Sequence, residues 1–134
     1  MTRSRGMFKK GLWLALGLVL VAGAVFAQRL EIAEAVIATD IIDRVPADAV
    51  ESYSVAVEQL HCFTRVLGAT EETALVHVWF HGDAEVARMT LPVRSSNWRT
   101  WSTKTIGAED RGDWRVEIRN EQGEVLKQLA FSLF

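Results

Sequence analysis

Two runs decide how this chain folds: Val55-Ala56-Val57-Glu58-Gln59-Leu60-His61-Cys62-Phe63-Thr64-Arg65-Val66-Leu67, closed by Gly68, and Thr73-Ala74-Leu75-Val76-His77-Val78-Trp79-Phe80-His81, closed by Gly82-Asp83. Both are rich in β-branched and aromatic residues, which suit a pleated, half-buried surface. Side chains alternate across a strand with a period of two. Leu60, Cys62, Thr64 and Val66 therefore share one face of the first run, and Val76, Val78 and Phe80 form an apolar face on the second. Taken as a hairpin with these faces sealed in one core, the pair has its register set by burial, because a one-residue slip would exchange the faces. Cys62 then lies opposite Phe80, His61 opposite His81, Phe63 opposite Trp79 and Arg65 opposite His77. Two alternatives stand beside this one. The runs can belong to different sheets, as consecutive strands do in immunoglobulin-like topologies, or the core can lie on the His–Trp side with Cys62 facing out.

Outward from these runs, turn signals recur at the regular spacing of an all-β domain. Strands are expected at 32–39, 55–67, 73–81, 85–93, 98–106, 114–119 and 125–134, with a loop between Asp40 and Ser52. Gly82-Asp83 is the residue pair of a tight hairpin, and Asn120-Glu121-Gln122-Gly123 suits a type I turn. Trp114, Val116 and Ile118 alternate onto one face. The expected fold is an antiparallel β-sandwich of about seven strands, immunoglobulin- or fibronectin-like, in residues 28–134 as one domain.

Residues 1–27 read differently. Arg3, Arg5, Lys9 and Lys10 precede an uncharged run from Gly11 to Ala27, rich in Leu, Val and Ala. That is the n-region and h-region of a secretory signal, with cut sites offered by Val25-Phe26-Ala27 and Ala22-Gly23-Ala24. At 17 residues the run is also at the short edge of a membrane span. Residues 1–27 are thus expected to form an apolar helix serving as signal peptide or membrane anchor, with a tether through residues 11–27. The remaining 107 residues hold 11 Lys and Arg against 17 Asp and Glu, a net charge of −6. Such a balance argues against nucleic acid, which requires a basic footprint. The one cysteine, Cys62, cannot form an internal disulfide.

Five blocks occur in order: Leu60-His61-Cys62-Phe63-Thr64, His77-Val78-Trp79-Phe80-His81, Trp98-Arg99-Thr100-Trp101-Ser102, Gly112-Asp113-Trp114-Arg115-Val116-Glu117, and Asn120 to Gly123. On these, from about residue 33 to the end, the chain resembles an uncharacterised bacterial family of small, exported or membrane-tethered all-β domains of unknown function. The resemblance implies a sandwich and an extracytoplasmic place, in the periplasm, secreted or anchored in the inner membrane. It implies no activity.

In the hairpin register, the face opposite the core carries Phe63, Arg65, His61, His77, Trp79 and His81, and all three histidines fall on it. An exposed Trp beside His and Arg reads as a recognition patch: flat apolar contact from Trp79 and Phe63, donors from Arg65, His77 and His81. A cell-envelope protein or glycan, or a lipid headgroup, could use it. Cross-strand packing of aromatics with satisfied histidines explains the same residues without a ligand. Trp98 and Trp101, three apart on a strand, point to opposite faces, so one is core and the other partly exposed. Arg99 shares the face of Trp101 and could stack or bind an anion.

A metal centre is the alternative, a copper or zinc site using His61, His81 and either Cys62 or His77. Four residues along one strand separate the His77 and His81 Cα atoms by about 13 Å, too far to share one ion. Cys62 points away from His61, which weakens both a Cys–His metal site and a cysteine nucleophile with a histidine base. No Gly-x-Ser-x-Gly, phosphate loop or His-Glu-x-x-His occurs. The expectation is a non-enzymatic cell-envelope binding module without a cofactor.

Overall fold

The computed structural model describes residues 29–134. The basic and apolar N-terminal segment, and with it the expected helix, signal or anchor, lies outside the described residues. Among the described residues no helix is long and apolar enough to cross a membrane.

The chain is all-β. Ten strands run in order: β1 Glu31–Ala38, β2 Asp40–Ile42, β3 Val45–Ala47, β4 Ser52–Tyr53, β5 Gln59–Leu67, β6 Thr73–His81, β7 Ala84–Val93, β8 Asn97–Thr105, β9 Gly112–Arg119 and β10 Val125–Leu133. Helical structure among them is limited to single 3-10 turns at Val55–Val57 and Ala108–Asp110. Each of the seven expected strands is present. The loop expected between Asp40 and Ser52 instead holds the β2–β3 ribbon and the start of β4. The expected strand from Val55 to Leu67 begins only at Gln59. Ser54 Oγ caps the turn at Val55–Val57 by accepting from the Ala56 amide at 3.1 Å, and Glu58 follows at φ 65°.

One sheet has the order β1-β5-β8, another β4-β10-β9-β6-β7, and β2-β3 forms a small ribbon. Except for β4, which runs parallel to β10, the paired strands are antiparallel. The two larger sheets share one apolar cluster. Ile37, Leu60, Cys62 and Val66 enter it from the first sheet, and Leu75, Trp79, Val116, Ile118 and Phe131 from the second. Aromatic rings pack through its middle: Phe131 meets Trp79 and Tyr53 edge-on at 6.1 and 6.4 Å and stacks on Trp114 at 5.9 Å. The Tyr53 hydroxyl donates to the Ile37 carbonyl at 2.6 Å, fastening β4 to β1.

The hairpin expectation for the two deciding runs fails. β5 pairs with β1 and β8, while β6 pairs with β7 and β9. Gly68 ends β5 at φ 93°, and a Cβ there would lie 2.5 Å from the Arg29 carbonyl oxygen, so the chain leaves the first sheet through a position only glycine fills comfortably. The expected inward face of β5 is found: Leu60, Cys62, Thr64 and Val66 are fully buried. On β6 the expectation is reversed. Leu75, His77 and Trp79 face the shared core, and Val78 and Phe80 take the other side. β6 lies inside a five-stranded sheet and is apolar on both faces, so burial alone could not choose between them.

Candidate functional site

The expected patch is divided by this topology. Phe63, His77 and Trp79 are fully buried and offer no exposed face. His77 sits between the sheets, its Nδ1 2.7 Å from Ser102 Oγ and its Nε2 3.0 Å from Thr64 Oγ1. Trp79 Nε1 donates to the same Ser102 Oγ at 3.1 Å. Each hydroxyl carries one proton and two lone pairs, so either direction of donation through Ser102, His77 and Thr64 satisfies both ring nitrogens of a neutral histidine. Burial holds the His77 pKa down at about 4, because a charged ring would be stranded in apolar surroundings. His77 and Trp79 are therefore core residues, joined to the opposite sheet by hydrogen bonds.

His81 ends β6 and stacks on Trp114 at 4.5 Å with the rings 10° apart. Its Nε2 lies 2.9 Å from the Arg111 carbonyl oxygen. A carbonyl only accepts, so Nε2 carries the proton. His61 lies on the outer face of β5 with Nδ1 2.7 Å from Thr103 Oγ1, while its buried Nε2 has no partner. Burial lowers its pKa, opposed by the charge of Asp40. Cys62 faces the opposite way, fully buried, and burial pushes its thiol up. The structure thus does not bring His61, His81 and Cys62 together, and His77 is enclosed elsewhere. Among the described residues no group of three His, Cys, Asp or Glu could hold a metal ion.

The same strand pairing gathers the other expected residues. In the β5–β8 register Phe63 lies opposite Trp101, Arg65 opposite Arg99 and Leu67 opposite Asn97. Directly opposed residues share a face, so Arg65, Arg99, Asn97 and Trp101 stand together on the outer side of the first sheet. Trp101 is 37% exposed, whereas Trp98, on the other parity, packs against the core. Arg65 Nε donates to Asn97 Oδ1 at 3.0 Å.

The ribbon supplies the residue that sequence reasoning missed. β2 packs on β5 and β3 on β1, a position that covers His61 and Phe63. Ile42 pairs with Val45, leaving Asp43 and Arg44 as a two-residue turn with φ of 51° and 60°. A turn with both central residues at positive φ strongly prefers Asn-Gly or Asp-Gly. Arginine in the second place costs about 1 kcal/mol of backbone strain. Arg44 reaches a cleft of about 640 Å³ that it lines with Pro92, Asn97, Trp98, Arg99 and Trp101. The signal in the sequence was the unfavourable Asp43-Arg44 pair between Ile42 and Val45, which identifies a strained tip only once the ribbon is seen.

Charge separates this cleft from the next hollow. Arg88–Glu85, Arg94–Glu72, Arg115–Asp83 and Arg119–Glu117 form ion pairs. Arg65 and Arg99 are like charges directly across a strand pair, an arrangement that destabilises by roughly 0.2–1 kcal/mol. The second hollow, about 560 Å³ beside Trp114 and Phe131, has a cation that is already occupied. Its Arg115 donates to the Gly82 carbonyl at 3.0 Å, lies 4.0 Å from Asp83 and covers the Phe80 ring at 3.9 Å.

Residues 72–133 match the model of a family described as Protein of unknown function (DUF2914). The match agrees with the expected likeness to an uncharacterised family over that stretch. It runs from the edge of β6 to the end of β10, taking in Arg99 and Trp101 but not Arg44 or Arg65. No curated protein matches the chain.

Proposed function

We propose that this chain is an exported, non-enzymatic binding module of the cell envelope, and that its ligand is held on the outer face of β5 and β8. The observation that carries the reading is the direct opposition of Arg65 and Arg99 beside a partly exposed Trp101 and the strained Arg44. Guanidinium groups set against each other at a cost to stability are explained by an anion that both can bond. The partner is a cell-envelope protein or glycan. The Arg3–Lys10 charges and the Gly11–Ala27 apolar run support an extracytoplasmic place, with residues 1–27 as signal or tether. Two sheets, antiparallel but for β4, joined through one core support a β-sandwich of the immunoglobulin or fibronectin kind. Cys62 and His77 are sealed between the sheets, away from any substrate, which favours binding over catalysis.

The test is retention on immobilised envelope material. Full-length protein with its own N-terminus is applied at low salt beside the double variant Arg65→Glu, Arg99→Glu. Retention of the wild type and its loss in the variant, with unchanged circular dichroism, supports the reading. Equal retention of both proteins removes the site.

A further inference from the structure

We infer that the cleft beneath Arg44 takes an acidic saccharide, a sugar ring bearing a carboxylate or phosphate, which deepens the reading proposed above and rests on it. Four observations converge. The cleft measures about 640 Å³, the scale of small-ligand sites. Arg44 and Arg99 both line it, and Arg65 stands beside it, bonded through one nitrogen to the lining Asn97. Guanidinium groups match the flat, two-oxygen geometry of carboxylate and phosphate. Trp101 adds a half-open indole, the flat amphipathic surface on which a sugar ring can rest while its hydroxyls stay wet. Finally, β8 is the last strand of its sheet, so its outer edge presents backbone donors and acceptors to ligand hydroxyls.

The backbone at the ribbon tip points the same way. Arg44 occupies a left-handed position where glycine would be unstrained. Strain kept at a turn marks a side chain retained for what it touches, and what Arg44 touches is the cleft. The cleft is bounded by the Pro92–Ser95 corner at one side and Arg44 at another. A cleft bounded in this way fits a single sugar unit better than an acidic peptide running along the β8 edge.

The experiment is calorimetric titration of the full-length protein in detergent at low salt with four probes: a hexuronate tetrasaccharide, a neutral hexose tetrasaccharide, inorganic phosphate and a polyglutamate peptide. Arg44→Gly and Trp101→Ala are titrated in parallel. The hexuronate is expected to bind, the neutral sugar not to, and phosphate to bind more weakly than the charged sugar. Arg44→Gly should lose about tenfold or more in affinity, the weight of one charge-assisted bond. Its melting temperature should hold or rise because the strain is gone, so the loss cannot come from unfolding. Equal binding of phosphate and hexuronate, preference for polyglutamate, absence of hexuronate binding, or an Arg44→Gly affinity like the wild type's would each overturn the assignment. If hexuronate fails while envelope retention still depends on Arg65 and Arg99, the ligand class is wrong and the site stands. If both fail, the site goes as well.

Discussion

The two faces of β5 carry polar groups under opposite conditions. Inward, Thr64 joins His77, Ser102 and Trp79 in a closed set of bonds with every ring nitrogen matched. Outward, Arg65 faces another arginine and donates to an asparagine beside an open cleft. Buried polar groups must be satisfied internally or the fold loses the full desolvation cost. A group at a wet surface carries no such requirement and is free to wait for a ligand. The inner set thus serves stability, and the outer set is the one proposed to bind.

The sharpest way to break this contrast uses two residues of one type. Trp79→Ala is expected to destabilise by about 3–5 kcal/mol, as truncation of a fully buried aromatic does. Trp101→Ala should stay within about 0.5 kcal/mol. Urea midpoints measure both, and similar shifts for the two tryptophans would erase the distinction between the faces.

Acid should strike the inner face next. His77 keeps a pKa of about 4 in the fold against about 6.5 when unfolded. Its neutral form adds no pH dependence above about 6.5. As pH falls below that, the unfolded chain takes a proton the native state refuses, and stability drops by up to about 1.4 kcal/mol per pH unit until about pH 4. His61, whose pKa is also lowered, acts in the same direction. Nuclear magnetic resonance titration of the ring carbons separates them, and a His77 signal that moves near pH 6.5 would mean its site is wet.

The smallest effect belongs to the outer face. Arg99→Ala should change stability by no more than about 0.5 kcal/mol, in the stabilising direction, since it removes the charge opposite Arg65. Thermal melting at low and high salt checks this. A loss above about 1 kcal/mol would make Arg99 part of the scaffold.

Much of the molecule was legible in the residue pattern because strand periodicity is local. The seven long strands, the Gly82-Asp83 hairpin, the buried Trp114-Val116-Ile118 face and the shared side of Arg99 and Trp101 all follow from spacings of two and from turn chemistry. The face of β6 did not, because a strand apolar on both sides sits equally well either way up. His77 read as a surface residue for the same local reason, since its hydroxyl partners lie 13 and 25 positions away.

The sequence alone determined that this chain makes strands, where the long ones lie apart from the late start of β5 at Gln59, and which side chains on a given strand travel together. Only the tertiary structure decided which strands are neighbours. That choice depends on how two sheets close over a common interior and on contacts between distant positions, which no spacing along the chain encodes. It carried His77 and Trp79 inward, parted the three histidines, and set Arg44, Arg99 and Trp101 around one cleft with Arg65 beside it.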